Sequence, residues 1–244
     1  LDKILQYFLE YGEKSLGCPI EIEFAVNIFT DQRKKPEFYL LQIKPMVLTG
    51  FKSIQLRSIN KQEIFCQSQI TLGNGIYNNI YDLIYVRPST FDPSKSHSMS
   101  LEIESINKEF RTESSYILAG PGRWGSADPW LGIPVGWKQI TNAQVIIEIG
   151  HKELPVDPSF GSHFFQNLTN LHIGYFTIDN KKADFIDDAW LKDQSQKKKG
   201  EYVDWYQFKN PFKVAIDGLS GGGTITKPTA QVKKIMDEEE SSGI

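Results

Sequence analysis

The amino terminus of the chain carries apolar residues at helical spacing. They fall on one stripe, formed by Leu1, Ile4, Leu5, Phe8 and Leu9. This spacing is typical of an amphipathic α-helix. Glycine favours the end of a helix, so Gly12 or Gly17 is predicted to stop it.

Two strand-like runs follow this helix. They are EIEFAVNIF (21–29) and FYLLQIKPMVL (38–48), and the polar TDQRKKPE between them is typical of a hairpin connection. One helix and two strands make a poor independent core. We therefore expect the edge of a larger α/β unit, and a chain that is a piece of a longer protein.

The pattern changes at Cys66, after a polar connector at 53–65. The periodicity then predicts a helix at 98–110 and strands at 80–86, 115–119, 144–149, 172–178 and 212–218. The lysine-rich run 192–201 is interpreted as a solvated loop, and the acidic tail 229–244 is expected to be mobile.

The amino-acid composition and net charge limit the functional classes to which the protein can belong. Of 244 residues, 40% are hydrophobic and 23% are charged, which is ordinary for a soluble globular chain. The net charge of -3 gives no electrostatic reason to expect nucleic acid or an anionic membrane surface. No apolar run reaches the ~18 residues of a membrane span. Cys18 and Cys66 lack metal-ligand spacing, so reduced thiols in a cytoplasm are expected.

Residues 120–125, GPGRWG, match the G-x-G-x-x-G pattern and follow a predicted strand. A dinucleotide site also needs this loop to open a helix. Pro129 and Pro134 follow at once, and proline breaks a helix, so we reject that interpretation. Two alternatives remain: a structural turn, or an anion-binding loop in which clustered N–H groups lie beside Arg123.

Polar residues interrupt the two early strands. Alternation places Glu21 and Glu23 on one face of the first strand, and Gln42 and Lys44 on one face of the second. If the two faces coincide, a carboxylate, an amide oxygen and an ammonium converge, a combination suited to Mg²⁺ and nucleotide phosphates. A solvated sheet face is the alternative interpretation.

One histidine stands out, in the segment GSHFFQNLTNLHIGYFTI (161–178). Ser162 is a favourable N-cap. Apolar residues recur after it at helical spacing, at Phe164, Phe165, Leu168 and Leu171. His163 is thus predicted in the first turn of a helix, where free N–H groups and the helix dipole would stabilise a phosphorylated imidazole. A histidine that only caps or packs is the alternative.

Several segments, taken in order, resemble the phosphoenolpyruvate synthase and pyruvate phosphate dikinase family. The closing strands of its ATP-grasp domain are similar to GCPIEIEFAVN and YLLQIKPM. The first strand pair of its swivelling domain is similar to LGNGIYNNIYDLIYV, and a later strand, loop, helix and strand are similar to YILAGPGRWGSADPWLGIPVGWKQITNAQVIIE. Its phosphohistidine segment resembles GSHFFQNLTNLHIGYFTI, and its final strand pair resembles FKVAIDGLSGGGTITKP.

The resemblance implies an α/β fold with four parts. These are the C-terminal edge of an ATP-grasp domain (1–50), a connector (51–65), a swivelling β/β/α phosphohistidine-like domain (66–228) and the acidic tail (229–244). It implies part of a phosphotransferase of the pyruvate,water dikinase or pyruvate,phosphate dikinase kind, inactive as this chain alone. In such enzymes the phosphoryl group passes from ATP to a histidine and on to an acceptor such as pyruvate.

The same resemblance implies roles for individual residues. Glu23 and Gln42 carry over as ligands to Mg²⁺ and the nucleotide phosphates. Lys44 stands where the family has arginine, so it supplies charge without a bidentate fork. His163 carries over as the phosphoryl acceptor, and Arg123 is our candidate for stabilising the transferred phosphoryl group.

Departures from the family pattern surround His163. Residues 152–160 replace its usual paired glycines, and Phe164 and Phe165 replace small residues after the histidine. These departures favour an alternative function, a non-catalytic swivelling module that binds a partner.

A third alternative is a module that binds a phosphate or sugar ligand on the glycine-rich loop. Trp124, Trp130 and Trp137 would then stack on the ligand; packing is the competing interpretation. The expected partners are a nucleotide, a small acceptor resembling pyruvate and the rest of the parent chain, with no nucleic acid and no membrane. The acceptor's identity and the oligomeric state stay open, a homodimer included.

Overall fold

The computed structural model describes residues 1–16, 20–29, 33, 35–45, 59–111, 114–126, 128–150, 168, 171–179 and 183–228. Cys18 and the predicted tail 229–244 lie outside the described residues. The chain divides into two compact units, Leu1–Lys52 and Ser53–Ile244. The architecture is mixed α/β with a large mixed sheet in the second unit, so the coarse fold class is confirmed.

The first unit contains helix α1 (Asp2–Leu16) and the antiparallel strands β1 (Ile20–Asn27) and β2 (Glu37–Pro45). The helix passes through Gly12, because the absence of a side chain there lets its backbone approach the sheet. A Cβ at Gly12 would lie only 2.2 Å from Cδ1 of Ile20. Phe8 of the helix stacks on Phe38 of β2, with ring centroids 5.8 Å apart.

The strands of the second unit are β3 (Ile64–Ser68), β4 (Ile70–Leu72), β5 (Gly75–Val86), β6 (Tyr116–Pro121), β7 (Arg123–Trp124), β8 (Gly132–Ile133), β9 (Ala143–Ile149), β10 (Gly174–Ile178), β11 (Phe185–Ile186), β12 (Lys198–Lys199), β13 (Val203–Asp217) and β14 (Gly222–Thr226). Its described helices are α2 (Ser96–Asn107) and α3 (Asp188–Lys192), with 3₁₀ turns at Lys61–Glu63, Pro88–Thr90, Pro93–Lys95 and Trp137–Gln139.

The helix and strands predicted for the second unit are present, but their bounds differ. Helix α2 begins and ends earlier than 98–110, β5 begins before residue 80, and β13 begins well before residue 212. The strand expected from 172 begins at Gly174, because His172 takes a left-handed backbone conformation with φ of 53°. The predicted connector ends earlier than 65, since β3 starts at Ile64 and both Ile64 and Phe65 are buried. The run 192–201 is mostly exposed, as expected, but it contains the short strand β12.

The large sheet closes on itself through the segment Ile64–Leu72. Its order is β11-β3-β14-β13-β5-β6-β9-β10-β4. Strand β4 is therefore at one end of the path, and β3, separated from β4 only by Gln69, lies next to β11 at the other end. β3 pairs with β14 and β4 pairs with β10, both antiparallel. Between them the Ser68 hydroxyl donates a 2.5 Å hydrogen bond to the carbonyl of Thr177.

Closure creates an inner and an outer apolar core. The inner core takes buried side chains from β3, β5, β6, β9, β10, β13 and β14, whereas Leu72 of β4 packs on the outer core. Its members include Phe65, Leu83, Ile117, Ile147, Phe176, Val214 and Ile225. The outer core lies between the sheet and α2, with Met99 and Ile103 of the helix packed on Ile84 and Ile146. Strands β5, β6, β9 and β10 run parallel, so their carboxyl ends lie at one edge of the unit.

A substitution at Gly223 tests how tightly the closed sheet is packed. A Cβ at this position would lie 2.7 Å from Cε1 of Phe176 and 2.9 Å from Cγ2 of Thr71. We expect Gly223→Ala to lower the free energy of unfolding by about 1 to 3 kcal/mol, because the inner core must be over-packed. Urea unfolding followed by circular dichroism measures the change.

Gly136→Ala is the matched control for this substitution. The nearest atom to a Cβ there is Oε1 of Gln139, at 3.7 Å, and the backbone φ is -95°. The control is expected to change stability by no more than about 0.5 to 1 kcal/mol. Equal effects of the two substitutions would show that β14 and β10 are not packed together as described.

Candidate functional site

The glycine-rich segment after β6 folds back on the end of the sheet. The N–H of Gly122 donates to the carbonyl of Ile149 at 3.0 Å, and Arg123 and Trp124 form β7, which pairs in parallel with β8. Gly132 of β8 approaches β7 so closely that a Cβ would lie 1.9 Å from the carbonyl oxygen of Arg123. The segment enters a strand and not a helix, which confirms the rejection of a dinucleotide-binding loop.

Glu148 is a buried carboxylate directly beneath this segment. It lies on β9, with only 4% of its surface exposed. One carboxylate oxygen accepts the backbone N–H of Trp124 at 3.0 Å, and the other accepts the hydroxyl of Tyr175 at 2.6 Å. These two hydrogen bonds tie the glycine-rich segment to β9 and β10.

The ionisation of Glu148 is balanced by opposing effects. Burial raises its pKa to about 7, while the hydrogen bonds from Tyr175 and Trp124 and the positive charge of Arg123 act in the opposite direction. The carboxyl group is therefore close to half-ionised near neutral pH, in reach of the charge of Arg123. Perturbed groups of this kind are concentrated at functional sites, although structural networks contain them too.

Arg123 is the cation of this cluster, and its guanidinium is incompletely bonded. The side chain is half-buried, and its Nε–H is buried without a hydrogen-bond partner among the described residues. A buried donor without a partner costs free energy, and an oxyanion is the partner that a guanidinium binds best. The cluster is thus chemically suited to hold a tetrahedral oxyanion.

His163 lies outside the described residues, as do Ser162, Phe164 and Phe165. The segment that contains them joins two described points, Gly150 at the end of β9 and Leu168. The N–H of Gly150 donates to the carbonyl of Ile178 at 2.9 Å, and Leu168 is buried in the outer core. Leu171, predicted to share the apolar stripe, is 58% exposed.

The three tryptophans considered for ligand stacking do not form one surface. Trp124 is buried in the outer core, and its indole N–H donates to the carbonyl of Ile147 at 3.1 Å. Trp130 is exposed, whereas Trp137 packs partly buried against the outer core. The stacking interpretation is wrong for Trp124, whose ring supports Gly120 and not a ligand: a Cβ at Gly120 would lie 2.9 Å from Cζ2 of this ring.

In the first unit, the register of β1 and β2 brings the predicted polar residues to one face. Glu23 is directly opposite Gln42, and Glu21 is directly opposite Lys44. Residues opposite each other in an antiparallel pair share a face. Glu23 and Gln42 are exposed, on the face away from Ile20 and the helix. The side chains of Glu23 and Gln42, which both carry oxygen, are therefore neighbours on one face, as the alternation along the two strands predicted.

Sequence reasoning missed Glu148 and Tyr175. The signal for Glu148 was present, since a charged residue inside the apolar run QVIIEI belongs to a buried strand only with partners. No local signal identifies Tyr175, because tyrosine is common in strands.

Two other features, a metal-binding cluster and a membrane-spanning helix, are absent from the described residues. No three histidine, cysteine, aspartate or glutamate side chains come together there in a way that would hold a metal ion. None of the helices described has both the length and the apolarity that a membrane crossing requires.

Comparison of the chain with protein-family models, with curated proteins and with solved structures finds no match.

The raised pKa of Glu148 predicts a pH-dependent stability. Below pH 4.5 the carboxyl is protonated in both folded and unfolded chains; between pH 4.5 and about 7 the unfolded chain ionises first, so the folded state loses stability. This loss amounts to about 3 kcal/mol. Glu148→Gln cannot ionise, so its stability relative to the unmodified protein should improve by that amount across this range.

Urea unfolding at a series of pH values measures this difference. Glu109→Gln is the control, because Glu109 is an exposed partner of Lys198, and its curve should run parallel to that of the unmodified protein. A parallel curve for Glu148→Gln would contradict the buried, titrating carboxyl.

Proposed function

We propose that the chain takes part in ATP-dependent phosphoryl transfer, with His163 as the phosphoryl carrier and Arg123 as the cation that receives the transferred group. The observation that carries the proposal is the buried Nε–H of Arg123, which has no hydrogen-bond partner among the described residues and lies just beyond the carboxyl end of β6. The segment with His163 continues from Gly150, at the carboxyl end of the neighbouring strand β9. Ligands of α/β sheets bind at such strand ends.

The resemblance to the phosphoenolpyruvate synthase and pyruvate phosphate dikinase family supports the same function. In this proposal the second unit is the swivelling phosphohistidine domain, and the first unit is the C-terminal edge of the ATP-grasp domain. The swivelling unit would carry the phosphoryl group from the nucleotide to a second, pyruvate-like acceptor.

Glu23, Gln42 and Lys44 would hold the nucleotide. Mg²⁺ is usually bound through one or two protein oxygens together with substrate phosphates, and the Glu23–Gln42 pair supplies two such oxygens on one face. Lys44, two residues beyond Gln42 in β2, would supply charge to the phosphates. ATP, when bound, supplies the phosphoryl group.

The transfer itself is a displacement at phosphorus. A neutral imidazole nitrogen of His163 would attack the phosphorus, and the N–P bond would form as the P–O bond to the nucleotide breaks, with its electron pair leaving on oxygen. The protein contributes positioning and charge neutralisation in such a step. Arg123 would neutralise charge on the transferred group, and Glu148 would hold the backbone beside it through the N–H of Trp124.

Phosphohistidine labelling tests the carrier. The full-length protein is incubated with Mg²⁺ and ATP labelled at the β or γ phosphate, and an acid-labile, base-stable label is expected. His163→Ala should abolish it, because the nucleophile is lost. Arg123→Ala should slow labelling by roughly 100-fold, the cost of removing one donor to developing charge. Arg111→Ala is the control, since Arg111 is exposed and outside the cluster.

The rate of labelling should rise with pH through about 6.5 as the imidazole loses its proton. A flat profile between pH 5 and 8, or equal labelling of His163→Ala and the unmodified protein, would refute the carrier. In that case the second unit is better explained as a binding module.

Nucleotide binding tests the first unit separately. Glu23→Gln should weaken binding of Mg²⁺–ATP to the full-length protein by roughly tenfold, about 1.4 kcal/mol, because a metal-binding carboxylate is lost. Calorimetric titration measures the change. Glu10→Gln is the control: it removes one charge on α1, where Glu10 accepts a hydrogen bond from Gln6. Equal affinities of Glu23→Gln and the control would exclude this role for Glu23.

A further inference from the structure

A polar cavity of about 400 Å³ lies at the carboxyl end of β5. That volume is in the range of small-molecule sites, which run from about 300 to 1,000 Å³. Tyr85 and Tyr206, members of the inner core, form part of its wall, with Leu191 of α3. The cavity thus lies at the inner core, whereas Arg123, Glu148 and Tyr175 cluster at the outer one. Its lining contains no residue of that cluster.

The position of the cavity in the sheet favours ligand binding. β5 is parallel to β6 on one side and antiparallel to β13 on the other, so the direction of the sheet changes beside it. In α/β sheets, ligands occupy crevices outside the carboxyl ends of strands.

The carboxylates of the cavity already have partners within the protein. The guanidinium of Arg87 contacts Asp204 at 2.5 Å, and Asp204 has only 2% of its side chain exposed. Arg87 also donates to the carbonyls of Gly200 and Glu201. The hydroxyl of Tyr85 donates to Asp188 at 2.5 Å. These contacts occupy the carboxylates of the cavity, so Lys192 and Lys199, which also line it, are left for other partners.

Lys192 and Lys199 line the cavity without an ion-pair partner among the described residues. Lys198, the neighbour of Lys199 in β12, behaves differently: it lies outside the cavity and pairs with Glu109 at 2.6 Å. With Arg87, the lining has three cations against two carboxylates, in a chain whose net charge is -3. The excess of positive charge is therefore local to this cavity.

Hydrogen-bonding groups accompany the positive charge. The hydroxyl of Tyr206 accepts the amide of Gln196 at 3.3 Å, which leaves its own hydrogen to donate. Asp188 has a second oxygen that can accept, since its hydrogen bond from Tyr85 uses only Oδ1. Hydroxyl groups of a ligand match this combination, because a hydroxyl both donates and accepts.

We infer that this cavity binds a small hydroxylated organic anion, a compound that carries one phosphate or carboxylate next to hydroxyl groups. Lys192 and Lys199 face the oxyanion, and Asp188 and Tyr206 bind the hydroxyls. Leu191 and the tyrosine rings contact the carbon skeleton. This site is independent of His163 and Arg123, so it stands whether or not the carrier function does.

An NMR titration of this chain with glycerol 3-phosphate tests the inference, with glycerol and inorganic phosphate as partial probes. The amide resonances of Gln196 and Lys199 should shift with glycerol 3-phosphate, at least tenfold more tightly than with either partial probe. Binding should weaken as salt is added, because both lysines are open to solvent. Absence of shifts at these amides up to about 10 mM glycerol 3-phosphate would overturn the inference.

Three variants locate the binding charge. Lys192→Gln and Lys199→Gln should each weaken binding by roughly five- to tenfold, since each removes one charge near the oxyanion. Lys198→Gln, next to Lys199 but paired with Glu109, should leave the affinity unchanged. Equal losses in Lys198→Gln and Lys199→Gln would reduce the effect to general surface charge and overturn the site. Phosphate binding as tightly as glycerol 3-phosphate would overturn the assignment to a hydroxylated ligand.

Discussion

The second unit depends on one constraint, the closure of its sheet by the segment Ile64–Leu72. A single run of chain pairs with both β14 and β10, through β3 and β4, so neither of those two strands is an edge of the sheet. The change of partner occurs at Gln69, where the hydroxyl of Ser68 reaches Thr177 across the junction. Most strands contribute apolar side chains to one inner core, so a loss of pairing at this junction would open the core and not only an edge.

Closure of the sheet also influences where polar groups lie in the second unit. Both faces of the sheet are covered, the inner one by the sheet itself and the outer one by α2 and the glycine-rich segment. Polar side chains reach solvent at the strand ends and also in the middle of β13, where Gln207 and Lys209 are exposed. The cluster of Arg123 and Glu148 and the cavity of Lys192 and Lys199 both lie at the carboxyl ends of parallel strands, but they belong to opposite faces. One edge of the sheet therefore carries two separate clusters that contain basic side chains.

Local sequence pattern predicted most of the helices and strands, and it failed where distant residues meet. The helical stripe of α1 and the apolar runs of β5, β6 and β9 depend only on residues close together in the chain. The periodicity of the sequence therefore predicts them directly. Strand β3 pairs with β14 and β11, which are far along the chain, so the local pattern at 53–65 predicts only a connector. Alternation placed Glu23 and Gln42 on faces, but only the register of β1 and β2 brings them opposite each other. The ion pair of Arg87 with Asp204 joins residues 117 positions apart, so no local spacing in the sequence predicts it.

The buried Glu148 connects stability with the proposed chemistry. Its burial disfavours the charged form, and the positive charge of Arg123 is one of the effects that oppose burial. A bound oxyanion that uses the charge of Arg123 would weaken this opposition, so the pKa of Glu148 would rise further and the carboxyl would take up a proton. Protonation would in turn leave Arg123 without its internal counter-charge and strengthen its attraction for the oxyanion. Because the two effects would reinforce each other, the proposed anion binding at Arg123 and the protonation of Glu148 would be two parts of one equilibrium close to neutral pH.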